Sequence, residues 1–76
     1  MNNDMKSKYD WSSVPKWVKF LAKLKNGKCY GFDHEPFIGV NGWTMEYLGH
    51  CEKVKVKVRF KGDWEDSLES RPNKFY

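Results

Sequence analysis

The sequence predicts a small, mainly β fold (β+α at most): an antiparallel sheet of about four strands, closed by a short C-terminal helical turn. Three observations carry this. Residues Lys53-Val54-Lys55-Val56-Lys57-Val58-Arg59-Phe60 alternate cation and apolar side chain without a break, the period-two pattern of a half-buried strand. Asn26-Gly27 lies between two apolar runs, a hairpin signal. The run after it, Lys28-Cys29-Tyr30-Gly31-Phe32, is too short and too aromatic for a helix.

At 76 residues the chain makes one domain. A domain of this size buries only about 60% of its unfolded surface, so its four Trp, four Tyr and five Phe are needed to fill a core. Residues 1–9 are polar and are expected to form a flexible tail, with the domain spanning 10–76. The N-terminus has no apolar stretch of signal-peptide type and no run is long enough to span a bilayer. With two cysteines, Cys29 and Cys51, the expectation is a cytoplasmic protein with reduced thiols and no membrane partner.

Taken in order, Asp10-Trp11-Ser12-Ser13-Val14-Pro15 reads as an ordered lead-in. Its Asp and Ser side chains can accept from nearby backbone N–H groups. Residues 16–25 support two readings. Trp17, Phe20, Leu21 and Leu24 form a helical stripe, while Val18, Phe20, Ala22 and Leu24 alternate as in a strand. A two-residue turn at Asn26-Gly27 would set Lys25 against Lys28 and Phe20 against Asp33. A three-residue loop, Lys25-Asn26-Gly27 with a left-handed Gly27, instead pairs Ala22 with Tyr30 and Phe20 with Phe32. The second register groups the aromatics and separates the like charges, so strand–loop–strand is adopted, with the helical stripe as its competitor. Glu35-Pro36 ends the second strand, and Gly39-Val40-Asn41-Gly42 marks a loop. Alternation of Trp43, Met45 and Tyr47 with Thr44, Glu46 and Leu48 predicts a third strand. A turn over Gly49 to Glu52 leads to the cationic strand. Short connections make a meander the default order. Asp63-Trp64-Glu65-Asp66-Ser67-Leu68 reads as a helical turn capped by Asp63, with Trp64 and Leu68 one turn apart and Pro72 beyond it.

No catalytic grouping emerges. Asp33-His34-Glu35 are neighbours that cannot all face one pocket, and an enzyme is not expected. Cys29, His34, His50 and Cys51 are the residue types of a Cys₂His₂ zinc site. Adjacent His50 and Cys51 point apart when extended, however, and no metal or other cofactor is expected. Net charge is +4 with pI about 9.1, which favours anionic partners. Residues 53–62 hold five cations and no acid. Lys53, Lys55, Lys57 and Arg59 on one strand face lie roughly 6.8 Å apart, suited to phosphates or to guarding an exposed edge against aggregation.

Several landmarks together resemble a group of small, largely uncharacterised phage-encoded accessory proteins. They are Asp10-Trp11 with Pro15 close behind, the Asn26-Gly27 hairpin with an aromatic second arm, Glu35-Pro36-Phe37, Gly42-Trp43, and Trp64-x-x-Ser67-Leu68-x-x-Arg71-Pro72. Position 25 is Lys where the pattern has an acid, which makes this loop more basic. The resemblance implies no activity. It implies a setting in the bacterial host's cytoplasm, where such proteins bind a host component and inhibit or redirect it. The leading expectation is therefore a non-enzymatic module that binds a host protein, to inhibit or redirect it, through Trp17, Trp43 and Trp64, rimmed by Lys55, Lys57 and Arg59. The alternative is a single-stranded nucleic-acid binder. Lys28-Cys29-Tyr30-Gly31-Phe32 resembles part of the RNP1 motif of RNA-recognition and cold-shock domains, so Tyr30 and Phe32 would stack bases beside Lys53, Lys55, Lys57 and Arg59. Self-association along an edge strand is a third expectation.

Overall fold

A computed structural model describes residues 7–40, 42–46 and 49–76. Among these residues six short strands form two antiparallel sheets: β1 (Phe20–Lys23), β2 (Cys29–Phe32), β3 (Phe37–Gly39), β4 (Gly42–Thr44), β5 (Cys51–Lys53) and β6 (Glu69–Ser70). The main sheet runs β5-β2-β1-β6, and β3 and β4 pair only with each other. Among the described residues, the helical segments are single 3-10 turns at Trp11–Ser13, Trp64–Asp66 and Asn73–Phe75.

The β1–β2 hairpin has the three-residue register expected from Gly27. Phe20 pairs with Phe32 and Ala22 with Tyr30. Gly27 sits at φ +86°, a backbone conformation open to glycine at little cost. The Leu24 and Gly27 backbones close the turn, and the Asn26 side chain accepts from Lys28 N–H at 2.9 Å. The helical stripe loses because Leu21 and Ala22, adjacent in sequence, are both fully buried, one on each face of the strand.

The order is not a meander. The β3–β4 hairpin is inserted between β2 and β5, and β5 returns to pair with β2, while β6 adds to the far side of β1. Short connections still rule, because each insertion is a closed local unit. The third strand is shorter than expected. It ends at Thr44, and the Tyr47 and Leu48 part of the expectation lies outside the described residues, as does Asn41 of the loop and the tail over residues 1–6.

The cationic segment is a regular strand only at its start. β5 ends at Lys53 because β2 ends at Cys29, whose carbonyl takes Val54 N–H as the last bond of that ladder. The chain stays extended in its side-chain pattern: Val54 and Val56 are half-buried against the core, while Lys55 and Lys57 are exposed. It then pairs again with the N-terminal segment. Val58 bridges Tyr9, Asp10 N–H donates to the Lys57 carbonyl at 2.9 Å, and Arg59 N–H donates to the Lys8 carbonyl at 2.8 Å.

That pairing moves the domain boundary. Tyr9, assigned by the sequence reading to a flexible tail, is 0% exposed, and Trp11 is buried beside it. With Val14, Val18, Leu21 and Cys29 they form the core. Gly31 lets Val18 lie against β2, since a Cβ there would fall 2.8 Å from a Val18 methyl. The C-terminal stretch holds the N-terminal segment from its other side. Glu69 accepts from Lys8 N–H and, at 2.8 Å, from the Trp11 indole. Tyr9 donates its hydroxyl proton to the Ser67 carbonyl at 2.6 Å. The Ser67 hydroxyl, fully buried, accepts from Lys23 N–H at 2.7 Å, which extends the β1–β6 ladder by one side-chain rung. Asp63 precedes the Trp64 turn but makes no side-chain cap bond, whereas Asp10 caps its own turn through Ser12 N–H.

Arg71 completes the clasp. It is buried, and its guanidinium donates to the carbonyls of Val18, Phe75 and Pro15 while lying 5.1 Å from the Trp11 ring. Replacing it leaves three carbonyls without their donor and empties space beside Trp11. Arg71→Ala is expected to lower the free energy of unfolding by about 2–4 kcal/mol, and Arg71→Lys to recover only part of it because an ammonium lacks the planar fork. Urea denaturation measures this; a loss below about 1 kcal/mol for the alanine variant would contradict the role given to Arg71.

Candidate functional site

Two surfaces stand out, one basic and one apolar. The basic one arises from the way β5 peels away from the sheet. Past Val54, whose N–H makes the last bond to β2, the segment has no ladder partner there, and a gap opens between it and the β1–β2 loop. The gap is a cavity of about 330 Å³. Lys28, at the end of the loop, and Lys53 and Lys55 from the segment line it together with Val54, Val56 and Val58. Among the described residues, no acid lines it. The buried Cys29 thiol also contributes, and burial pushes its pKa up to about 12, so it remains neutral. Lys57 and Arg59 continue the exposed basic edge beyond the cavity.

The apolar surface is the β3–β4 hairpin. Ile38 pairs with Trp43 on one face, and Phe37 with Thr44 on the other. Trp43 joins the hairpin to the body: its ring meets Trp64 edge-on at 6.3 Å, and its indole N–H donates to the Trp64 carbonyl at 3.3 Å. The other large side chains are left in water. Phe37 is 49% exposed, Ile38 45% and Val40, at the tip, 95%.

The tryptophans singled out by sequence do not form one open patch. Trp43 and Trp64 are half-buried against each other, and Lys25 lies 5.5 Å over the Trp64 ring. Trp17 packs against the core and meets the His50 ring at 4.5 Å. Lys53, Lys55, Lys57 and Arg59 are exposed as expected. Of the two rings assigned to base stacking, Tyr30 is half-buried and Phe32 is 3% exposed. Phe32 lies on the face of the sheet opposite Leu21 and Cys29, the face that also carries the fully buried Ala22. Phe37, Ile38 and Val40 are the residues that sequence reasoning passed over. Their signal was present as a short apolar run after Pro36, but a strand of three residues with apolar groups on both faces has no periodicity to read.

The Cys and His residues are not gathered into a metal site: among the described residues no group of three or more His, Cys, Asp or Glu could hold a metal ion. Instead the two histidines are used locally. Asp33 lies 2.9 Å from His34 Nδ1 and accepts from His50 N–H at 2.9 Å, and His50 Nε2 lies 2.9 Å from Glu52. These bonds tie the end of β2 to the start of β5. Among the described residues no helix is long and apolar enough to cross a membrane. The chain matches no family model, no curated protein and no solved structure.

The bonds to Asp33 have a pH consequence. The His34 ring and then the His50 amide hold its carboxyl below the ordinary 3.8. The folded state therefore prefers the carboxylate, and the unfolded state takes up the proton first as pH falls. This contribution is complete above the ordinary value and is lost as pH drops through the lower, folded one. Asp10, held down by Ser12, acts in the same direction. Denaturation midpoints measured from about pH 6 to about pH 2 are expected to fall below the ordinary carboxylate value, and to fall less steeply in Asp33→Asn. Parallel curves for the two proteins would contradict this linkage.

Proposed function

We propose that the chain is a non-enzymatic, phage-type accessory protein that binds a host protein, with the β3–β4 hairpin as its contact. The observation that carries this reading is the exposure of Phe37, Ile38 and Val40 on a ribbon that belongs to neither edge of the main sheet. A two-stranded hairpin is marginally stable by itself, and apolar side chains left in water on it contribute nothing to the core. Phe37 lies on one face of this ribbon, Ile38 on the other and Val40 at the tip, so a partner that grips the ribbon from both sides would cover all three. The bacterial setting comes from the sequence resemblance, and a cytoplasmic location goes with it.

The contact residues differ from the tryptophans first considered. Trp43, set against Trp64, joins the hairpin to the body, and Phe37, Ile38 and Val40 are the groups a partner would cover. Lys25, next to Trp64, supplies a cation at the rim. The nucleic-acid alternative draws on the exposed edge Lys53, Lys55, Lys57 and Arg59, but its stacking pair is reduced to Tyr30 by the burial of Phe32.

The test is affinity capture from bacterial lysate with three proteins: wild type, Phe37→Ser/Val40→Asp, and Lys55→Glu/Lys57→Glu. All four substituted positions are exposed, so the domains are expected to unfold at similar denaturant concentrations. The wild type and the lysine variant are expected to recover the same protein, and the hairpin variant to lose at least about 90% of it, a tenfold change for about 1.4 kcal/mol of lost contact. Recovery of nothing above background, or equal recovery by the hairpin variant, would overturn the reading.

A further inference from the structure

The cavity between the β1–β2 loop and the segment after β5 lies apart from the β3–β4 hairpin in the chain and is not used by the reading above. Its composition is asymmetric. Lys28, Lys53 and Lys55 line it from two separate chain segments, none of the described residues that line it is acidic, and Val54, Val56 and Val58 supply its apolar lining. Edge protection accounts for Lys53 and Lys55, which flank the end of β5. It does not account for Lys28, at the end of the hairpin loop across the gap, nor for the valine surface that lines the cavity.

The geometry points to a binding site for a phosphorylated ligand with a flat apolar ring, of the nucleoside-diphosphate class. Charge decides against a simple carboxylate, whose single charge would leave two of the three ammonium groups unmatched. A phosphomonoester carries about −1.5 to −2 at neutral pH, and a diphosphate more, which suits three lysines. Lysine is a usual phosphate ligand where a point charge suffices. The apolar lining decides against an inorganic anion, which would leave the valines uncovered. A ring lying on Val54 and Val56 removes apolar surface from water. Volume agrees, since about 330 Å³ falls at the small end of the range for sites that hold organic ligands. Burial keeps the Cys29 thiol uncharged, so none of the described residues that line the cavity carries a negative charge. The lysines that line the site are exposed, so binding is expected to weaken as salt rises.

Methyl NMR of the full chain tests this with three probes: ADP, pyrophosphate and adenosine. ADP is expected to shift the Val54 and Val56 methyl signals and to bind at least tenfold more tightly than either of the other two. Lys28→Glu/Lys55→Glu is expected to weaken ADP at least tenfold, while Lys16→Glu/Lys61→Glu, an equal change of net charge at other exposed positions, changes it less than threefold. A denaturation curve on each variant establishes that it is folded. A short oligonucleotide with a 5′-phosphate, compared with ADP, distinguishes the source: tighter binding of the oligonucleotide assigns the site to a strand end, and equal or weaker binding assigns it to a free nucleotide. The proposal is overturned if ADP leaves the valine methyls unmoved, if pyrophosphate binds as well as ADP, or if the two charge variants weaken ADP equally. None of these outcomes depends on the hairpin contact.

Discussion

The structure depends on how the segment Lys8–Trp11 closes a sheet that cannot close itself. The strands of the main sheet are two to four residues long, and such a sheet has little core of its own. Tyr9 and Trp11 supply the two largest fully buried side chains. Their backbone bonds to the continuation of β5, and their side chains bond to the stretch that carries β6. One short segment thus joins what would otherwise be the two open edges. A row of unpaired backbone groups at an edge invites pairing with other chains, and here part of that row is satisfied within the molecule. Ser67, Glu69 and Arg71 make this possible, each through a side-chain bond spanning more than forty residues of sequence.

The same constraint gives physical meaning to the sequence pattern Trp64-x-x-Ser67-Leu68-x-x-Arg71-Pro72. Ser67 completes the β1 ladder, Arg71 caps Val18 and stacks on Trp11, and Trp64 receives the β3–β4 hairpin. Pro72 begins the last 3-10 turn, which carries Phe75 to the Arg71 guanidinium. These positions are occupied by residues that hold the fold, so the pattern describes architecture, and the surfaces available for binding lie elsewhere.

Local features were legible in the sequence and long-range ones were not. The β1–β2 register followed from one glycine and from the pairing of aromatics across the loop, both short-range signals. The alternation of residues 53–60 correctly placed Val54 and Val56 inward and the lysines outward. It could not show that the ladder stops at Lys53, because that depends on where the partner strand ends. The burial of Tyr9 was invisible, since a polar segment with one aromatic looks like a tail until its partners, Ser67 and Glu69, are brought beside it by the sheet. Of the two surfaces, the lysines of the basic edge were evident as a charge run, while the cavity next to them required the gap beside Lys28. The apolar hairpin was missed because three-residue strands carry too few side chains to show a period.

Native-state hydrogen exchange measures the closing role of the N-terminal segment most directly. The amides of Asp10 and Arg59, bonded to Lys57 and Lys8, report on the clasp, and those of Lys19 and Val54, bonded to Phe32 and Cys29, report on the sheet. If the clasp and the sheet are one cooperative unit, all four exchange only through global unfolding, with free energies within about 1 kcal/mol of each other. Exchange of Asp10 and Arg59 that is a hundredfold or more faster, with Lys19 and Val54 still protected, would show a sheet that stands without its clasp.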